Sequence, residues 1–101
     1  MSFDNNTISV NYSDKQLRIL VEEYITMQKH DFTFKGICSY VLYCAMEENR
    51  TANTRLYESN QLSSADCRRL TVILRKVTQE GRITCTSEQY ADDTLFVKII
   101  E

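Results

Sequence analysis

The stretch Ser63-Ser-Ala-Asp-Cys-Arg-Arg-Leu-Thr-Val-Ile-Leu-Arg-Lys-Val-Thr-Gln-Glu-Gly-Arg-Ile83 decides the fold. Ser63 can cap a helix, and Asp66, three positions on, suits the positive helix N-terminus. Leu70, Ile73, Leu74 and Val77 then recur at helical spacing and form one apolar stripe. Gly81 stops the helix, because glycine tolerates the left-handed backbone that a helix end requires. Arg82 to Cys85 leaves this turn as a strand. Thr94 to Ile100, rich in β-branched residues, reads as its partner, and Thr86 to Asp93 forms the hairpin tip.

Upstream, Ile8, Val10 and Tyr12 alternate with polar residues, which predicts a short strand within Thr7 to Tyr12. Ser13 and Gln16 have the spacing of a capping box. Leu17, Leu20, Val21, Tyr24 and Gln28 share one face of the helix that follows, and its end is expected near His30 and Asp31. Ile19 falls on the polar side, as a lone exposed residue or a dimer contact. Phe32-Thr33-Phe34 is a β-like patch whose Thr33 can cap a second helix, Gly36 to about Asn49. Apolar residues surround that helix, so it is expected at the centre of the core, or with Leu42 and Met46 covered by a second subunit. Glu47 to Gln61 is polar and weakly patterned and reads as a loop.

The expected architecture is therefore α+β, with three helices, a C-terminal β-hairpin and a short N-terminal strand. The 101 residues suffice for a single domain, 1–101, with residues 1–7 as a flexible tail. With no proline and two glycines, the chain has no linker composition. An apolar fraction of 43% and a charged fraction of 26% are ordinary for a globular protein, which excludes the disordered classes. No apolar run approaches a membrane span, and the N-terminus lacks a signal-peptide pattern, so a cytoplasmic location is expected.

The order helix, strand, helix, loop, helix, glycine, strand, tip, strand is similar to that of winged-helix proteins. Residues 63–83 resemble their recognition helix and first wing strand in detail. The resemblance implies a non-enzymatic domain that binds duplex DNA through its third helix, with transcription regulation as the expected role. Pairing of two recognition helices on one site would imply a homodimer.

The residues carry the same reading without the family. At about 100° per residue, Arg68, Val72, Arg75 and Gln79 lie opposite the apolar stripe, and Arg69 and Lys76 flank them. Cations on such a face suit a major groove, where arginine reads guanine edges and either cation neutralises phosphates. Ser63, Ser64 and Arg82 are candidate phosphate positioners. The charge is local: residues 62–85 hold five basic and two acidic side chains, although the whole chain carries −2. The alternative is a solvated helix face on a module that binds an unidentified protein. The acidic tip (Glu88, Asp92, Asp93), the long segment before the third helix and the net charge favour this alternative. Its contact would be the tip, the first strand or the Ile19 face.

Catalytic and cofactor patterns are not found. Cys38, Cys44, Cys67 and Cys85 include no C-x-x-C pair, and the only histidine, His30, is remote from them, so no zinc site and no cofactor are expected. His30 reads as a charge at a helix C-terminus. Glu22-Glu23, Glu47-Glu48 and Asp92-Asp93 read as surface charges. Cys67, in the first turn of the third helix, is a candidate for a lowered pKa through the helix dipole and Arg68, against plain packing. Tyr40 and Tyr43 with Phe32 and Phe34 could stack single-stranded bases, but aromatics at this spacing more often belong to a core.

Overall fold

The computed structural model describes residues 7–48 and 61–99. In chain order the elements are β1 (Thr7–Ile8), α1 (Asp14–Met27), β2 (Asp31–Thr33), α2 (Phe34–Glu47), β3 (Gln61–Leu62), α3 (Ser64–Gln79), β4 (Ile83–Thr84) and β5 (Leu95–Lys98). Three helices and a C-terminal hairpin make an α+β domain. β1 pairs in parallel with β3, while β2, β5 and β4 form an antiparallel sheet with β5 in the middle.

Local chemistry sets the helix ends. The Gln16 backbone N–H donates to Ser13 Oγ at 3.1 Å, and the Ser13 N–H donates to Gln16 Oε1 at 2.9 Å, so two otherwise orphaned donors are satisfied reciprocally. Thr33 Oγ1 accepts from the Gly36 N–H at 3.1 Å and starts α2. The next orphans of that helix, the Phe34 and Lys35 amides, donate to the carbonyls of Thr94 and Asp92 at 3.0 and 2.9 Å. The hairpin thus caps α2 with its own backbone. At the end of α3, the Gly81 N–H reaches the Thr78 carbonyl at 3.0 Å and the Arg82 N–H reaches that of Val77 at 3.4 Å. With φ at +81° on Gly81, this is a Schellman turn, and it aims the chain directly into β4.

The core lies between the helices and the inner face of the sheet. Leu17, Val21, Ile37, Val41, Leu70, Leu74 and Val77 are fully buried and meet Phe96 from the centre of the sheet. Phe96 stacks on Phe32 at 5.2 Å and takes Tyr90 edge-on at 5.0 Å, so aromatic packing joins the hairpin to β2.

The structure narrows several expectations. The N-terminal strand is two residues long; beyond it Val10 forms an isolated bridge, and its amide donates to Asp66 at 2.9 Å. Thr7, expected in the tail, lies in β1; residues 1–6 are outside the described residues. The first helix stops at Met27, with Gln28 as its cap, because Asp31 already pairs with Val97 in the sheet. His30 is therefore beyond the helix end, and its carbonyl accepts the Lys98 N–H. α1 also buries Ile25. α2 is not apolar all round: Lys35, Ser39, Tyr43 and Glu47 form an exposed line at i, i+4 spacing. Leu42 is buried within the chain itself. The expected 47–61 loop shrinks at both ends, since Glu47 closes α2 and Gln61 pairs with Thr7; Asn49 and residues 50–60 lie outside the described residues. The hairpin strands cover Ile83–Thr84 and Leu95–Lys98.

Candidate nucleic-acid interface

α3 is held by its apolar stripe, with Leu70, Leu74 and Val77 fully buried and Ile73 nearly so. The opposite face is consequently presented outward. Ser64, Arg68, Val72, Arg75, Lys76 and Gln79 are all exposed, with Val72 at 55%. Among the described residues, no ion pair involves Arg68, Arg75 or Lys76.

Three of the nine expected site residues are committed elsewhere. Ser63 is buried; its hydroxyl accepts from the Asp66 amide at 3.3 Å and donates to Asp66 Oδ2 at 2.9 Å. Arg69 turns away from the outer face toward the start of α1. Its Nη1 donates to Asp66 Oδ1 and its Nε to Asp14 Oδ1, both at 2.9 Å, and Nη2 reaches the Tyr12 carbonyl. Arg82 pairs with Glu22. Glu22 also takes Arg18 at 2.7 Å, and Arg18 reaches Glu80 at 2.7 Å, so a four-residue charge network ties α1 to the end of α3. Burial pushes the Glu22 carboxyl up, but the hydrogen bonds and charges of Arg82 and Arg18 outweigh it and hold the pKa below its ordinary value. The hydrogen bonds that Arg18 donates to Glu80 and Glu22 in turn raise its own pKa.

Arg75 belongs to both descriptions. It is exposed on the outer face, yet its Nη2 donates to the Glu88 carbonyl and its guanidinium sits 5.4 Å over the Tyr90 ring. It therefore braces the hairpin tip against α3. Sequence reasoning missed Tyr90, because the tip has no periodicity that would place a side chain.

Sequence reasoning also missed an apolar sheet face. Leu95, Val97 and Ile99 are 49%, 43% and 40% exposed and point away from the core, while Phe96 between them is buried. Their alternation was the available signal. Ile19 is exposed, as expected, at 49%. In the first-strand segment Ile8, Val10 and Tyr12 are buried, while Ser9 and Asn11 are exposed. Phe32 and Phe34 are core residues, packed on Tyr24 and Tyr90, so they offer no stacking platform.

Among the described residues, no group of three or more His, Cys, Asp or Glu side chains is placed to hold a metal ion. No helix among them is long and apolar enough to cross a membrane. No family model, curated protein or solved structure matches the chain.

Proposed function

We propose that the chain is a winged-helix-like protein that binds duplex DNA through the outer face of α3, as a transcriptional regulator. The observation that carries this reading is the set Arg68, Arg75 and Lys76, three exposed cations on a helix clamped from behind, with no carboxylate partner among the described residues. The order of elements from α1 to β5 and the Gly81 turn into the hairpin support it. Arg68 and Lys76 neutralise phosphates or meet base edges, Val72 and Gln79 line the groove side, and Ser64 approaches the backbone at the helix N-terminus. Arg69, Arg82 and Ser63 act behind this face by fixing α3. The four thiols are free, in accord with a cytoplasmic location.

Duplex DNA of random sequence, titrated at several salt concentrations, tests the reading. Three engaged phosphates give a slope of log affinity on log salt of about −2.7 per domain, and a homodimer with both helices engaged gives about twice that. Absence of binding at low salt refutes it.

The exposed Leu95, Val97 and Ile99 favour a second reading, a module that binds a protein through its sheet. Under it, the protein passes through a heparin column at low salt, whereas a DNA-binding face is retained.

A further inference from the structure

Two of the four cysteines converge. Cys38, in the first half of α2, and Cys67, in the first turn of α3, line one open pocket together with Lys35, Ser64, Leu62 and Asp92. The two thiols lie close enough to perturb each other's ionisation, and both side chains are half-buried and reachable from solvent. Cys67 Sγ also lies 3.9 Å from the Leu62 carbonyl, which turns it along the pocket wall. Cys44 and Cys85 lie elsewhere: Cys44 beside Tyr40, and Cys85 near the Ser87 carbonyl in the hairpin tip.

We propose that Cys38 and Cys67 form a paired-thiol redox site that takes a low-molecular-weight disulfide as its substrate, with Cys67 attacking and Cys38 resolving. The Cys38 thiol lowers the pKa of Cys67 against its partial burial and the charges of Asp66 and Asp92, and Arg68 adds to the effect. The same interaction, with burial, keeps Cys38 protonated.

The sequence of steps follows from that asymmetry. The Cys67 thiolate attacks one sulfur of the small disulfide. The S–S bond breaks, one small thiolate leaves, and a mixed disulfide stands on Cys67. The negative charge that held the Cys38 proton is then gone. Cys38 releases its proton to solvent, and its thiolate attacks Cys67 Sγ and expels the second small thiolate. Two protein thiols are oxidised to one disulfide, and one small disulfide is reduced to two thiols. The bond would tie the first turn of α3 to α2.

The full-length reduced protein, incubated in glutathione and glutathione disulfide buffers, acid-quenched, alkylated and analysed by peptide mass spectrometry, tests the proposal. The expected product is an intramolecular Cys38–Cys67 disulfide, with Cys44 and Cys85 still alkylated and little mixed disulfide. The Cys38→Ser variant is expected to accumulate glutathione on Cys67. In reduced wild-type protein, Cys67 is expected to alkylate about tenfold or more faster than Cys38. Phenylarsine oxide, which condenses with two adjacent thiols and releases water, supplies a measurement that needs no variant. It is expected to bind one-to-one and shield Cys38 and Cys67 together from alkylation. Persistent mixed disulfides on the wild type, a bond through Cys44 or Cys85, or arsenical shielding of neither thiol would overturn the proposal.

Discussion

Arg69 Nη1 and Asp66 Oδ1 meet at 2.9 Å across one turn of α3, and this pair joins three parts of the chain. Asp66 is 4% exposed, and its other oxygen accepts the Val10 amide and the Ser63 hydroxyl, both at 2.9 Å. Arg69 carries the link on to Asp14 and the Tyr12 carbonyl. A carboxylate can accept from several donors at once, so one buried acid fixes the N-terminal segment, the cap of α3 and the start of α1.

Removing that acid strands a buried amide and an arginine. Asp66→Ala is expected to lower stability by about 3 kcal/mol, the range for breaking one side of a buried pair. Arg69→Met keeps the packing stem and should cost less. Urea denaturation measures both. Because Arg69 faces away from the proposed DNA contact, Arg69→Met is also expected to leave DNA affinity within about twofold, since its guanidinium reaches neither phosphate nor base.

Gly36 tests the packing where α2 begins. A Cβ there would stand 2.5 Å from the Tyr24 hydroxyl but 3.6 Å from the ring carbon that bears it. Tyr24 cannot swing away freely, since its ring packs on Phe32 at 5.6 Å and on Tyr40 at 5.2 Å. Gly36→Ala alone is expected to destabilise by about 1–2 kcal/mol through overpacking. In a Tyr24→Phe background that clash is gone and the 3.3 Å approach to Thr33 Oγ1 is what remains, so the same change should cost less than in the wild type. A double-mutant cycle reads the difference, and additivity would contradict it.

Glu22 sets an acid limit. Its folded pKa is depressed by Arg82 and Arg18 in excess of its burial, so its contribution is present above the unfolded value of about 4.3 and is lost as pH falls through the folded one. The denaturation midpoint of wild type should exceed that of Glu22→Gln at neutral pH. The gap should narrow as pH falls below the ordinary carboxylate range and close once the folded carboxyl is protonated as well. A gap that does not change with pH would assign the loss to shape and not to charge.

Much of the fold was legible because it rests on local chemistry. Ser13 with Gln16, Thr33, Ser63 and Gly81 are start and stop signals that act within a few residues of themselves. The stripe from Leu70 to Val77 needed only a period. What escaped the sequence was pairing across long separations. β3 is two residues whose sole reason to be a strand is Thr7 and Ile8, and no local pattern marks it. α2 reads as apolar on all sides, yet Tyr43 is 63% exposed because a tyrosine can keep its phenol in water. The candidate site divided for the same reason. Among the described residues nothing acidic folds toward Arg68 and Lys76, whereas Arg69 and Arg82 find Asp14 and Glu22 on α1. Helical angle alone placed Arg68, Arg69 and Lys76 on or beside one face, with Arg82 following the helix as a phosphate positioner.

That division selects the residues for the decisive experiment. Arg75 is a poor probe, since its removal also frees the Glu88 and Tyr90 contacts of the hairpin. Arg68 and Lys76 have no such second duty among the described residues. The affinity of Arg68→Ala/Lys76→Ala for random duplex DNA should be measured across salt concentrations beside wild type, with thermal unfolding confirming that both are folded. The account predicts weaker binding at every salt concentration and a salt slope shallower by about 2, roughly one unit for each phosphate no longer engaged. Equal affinity and an equal slope would contradict it and leave α3 as a solvated face.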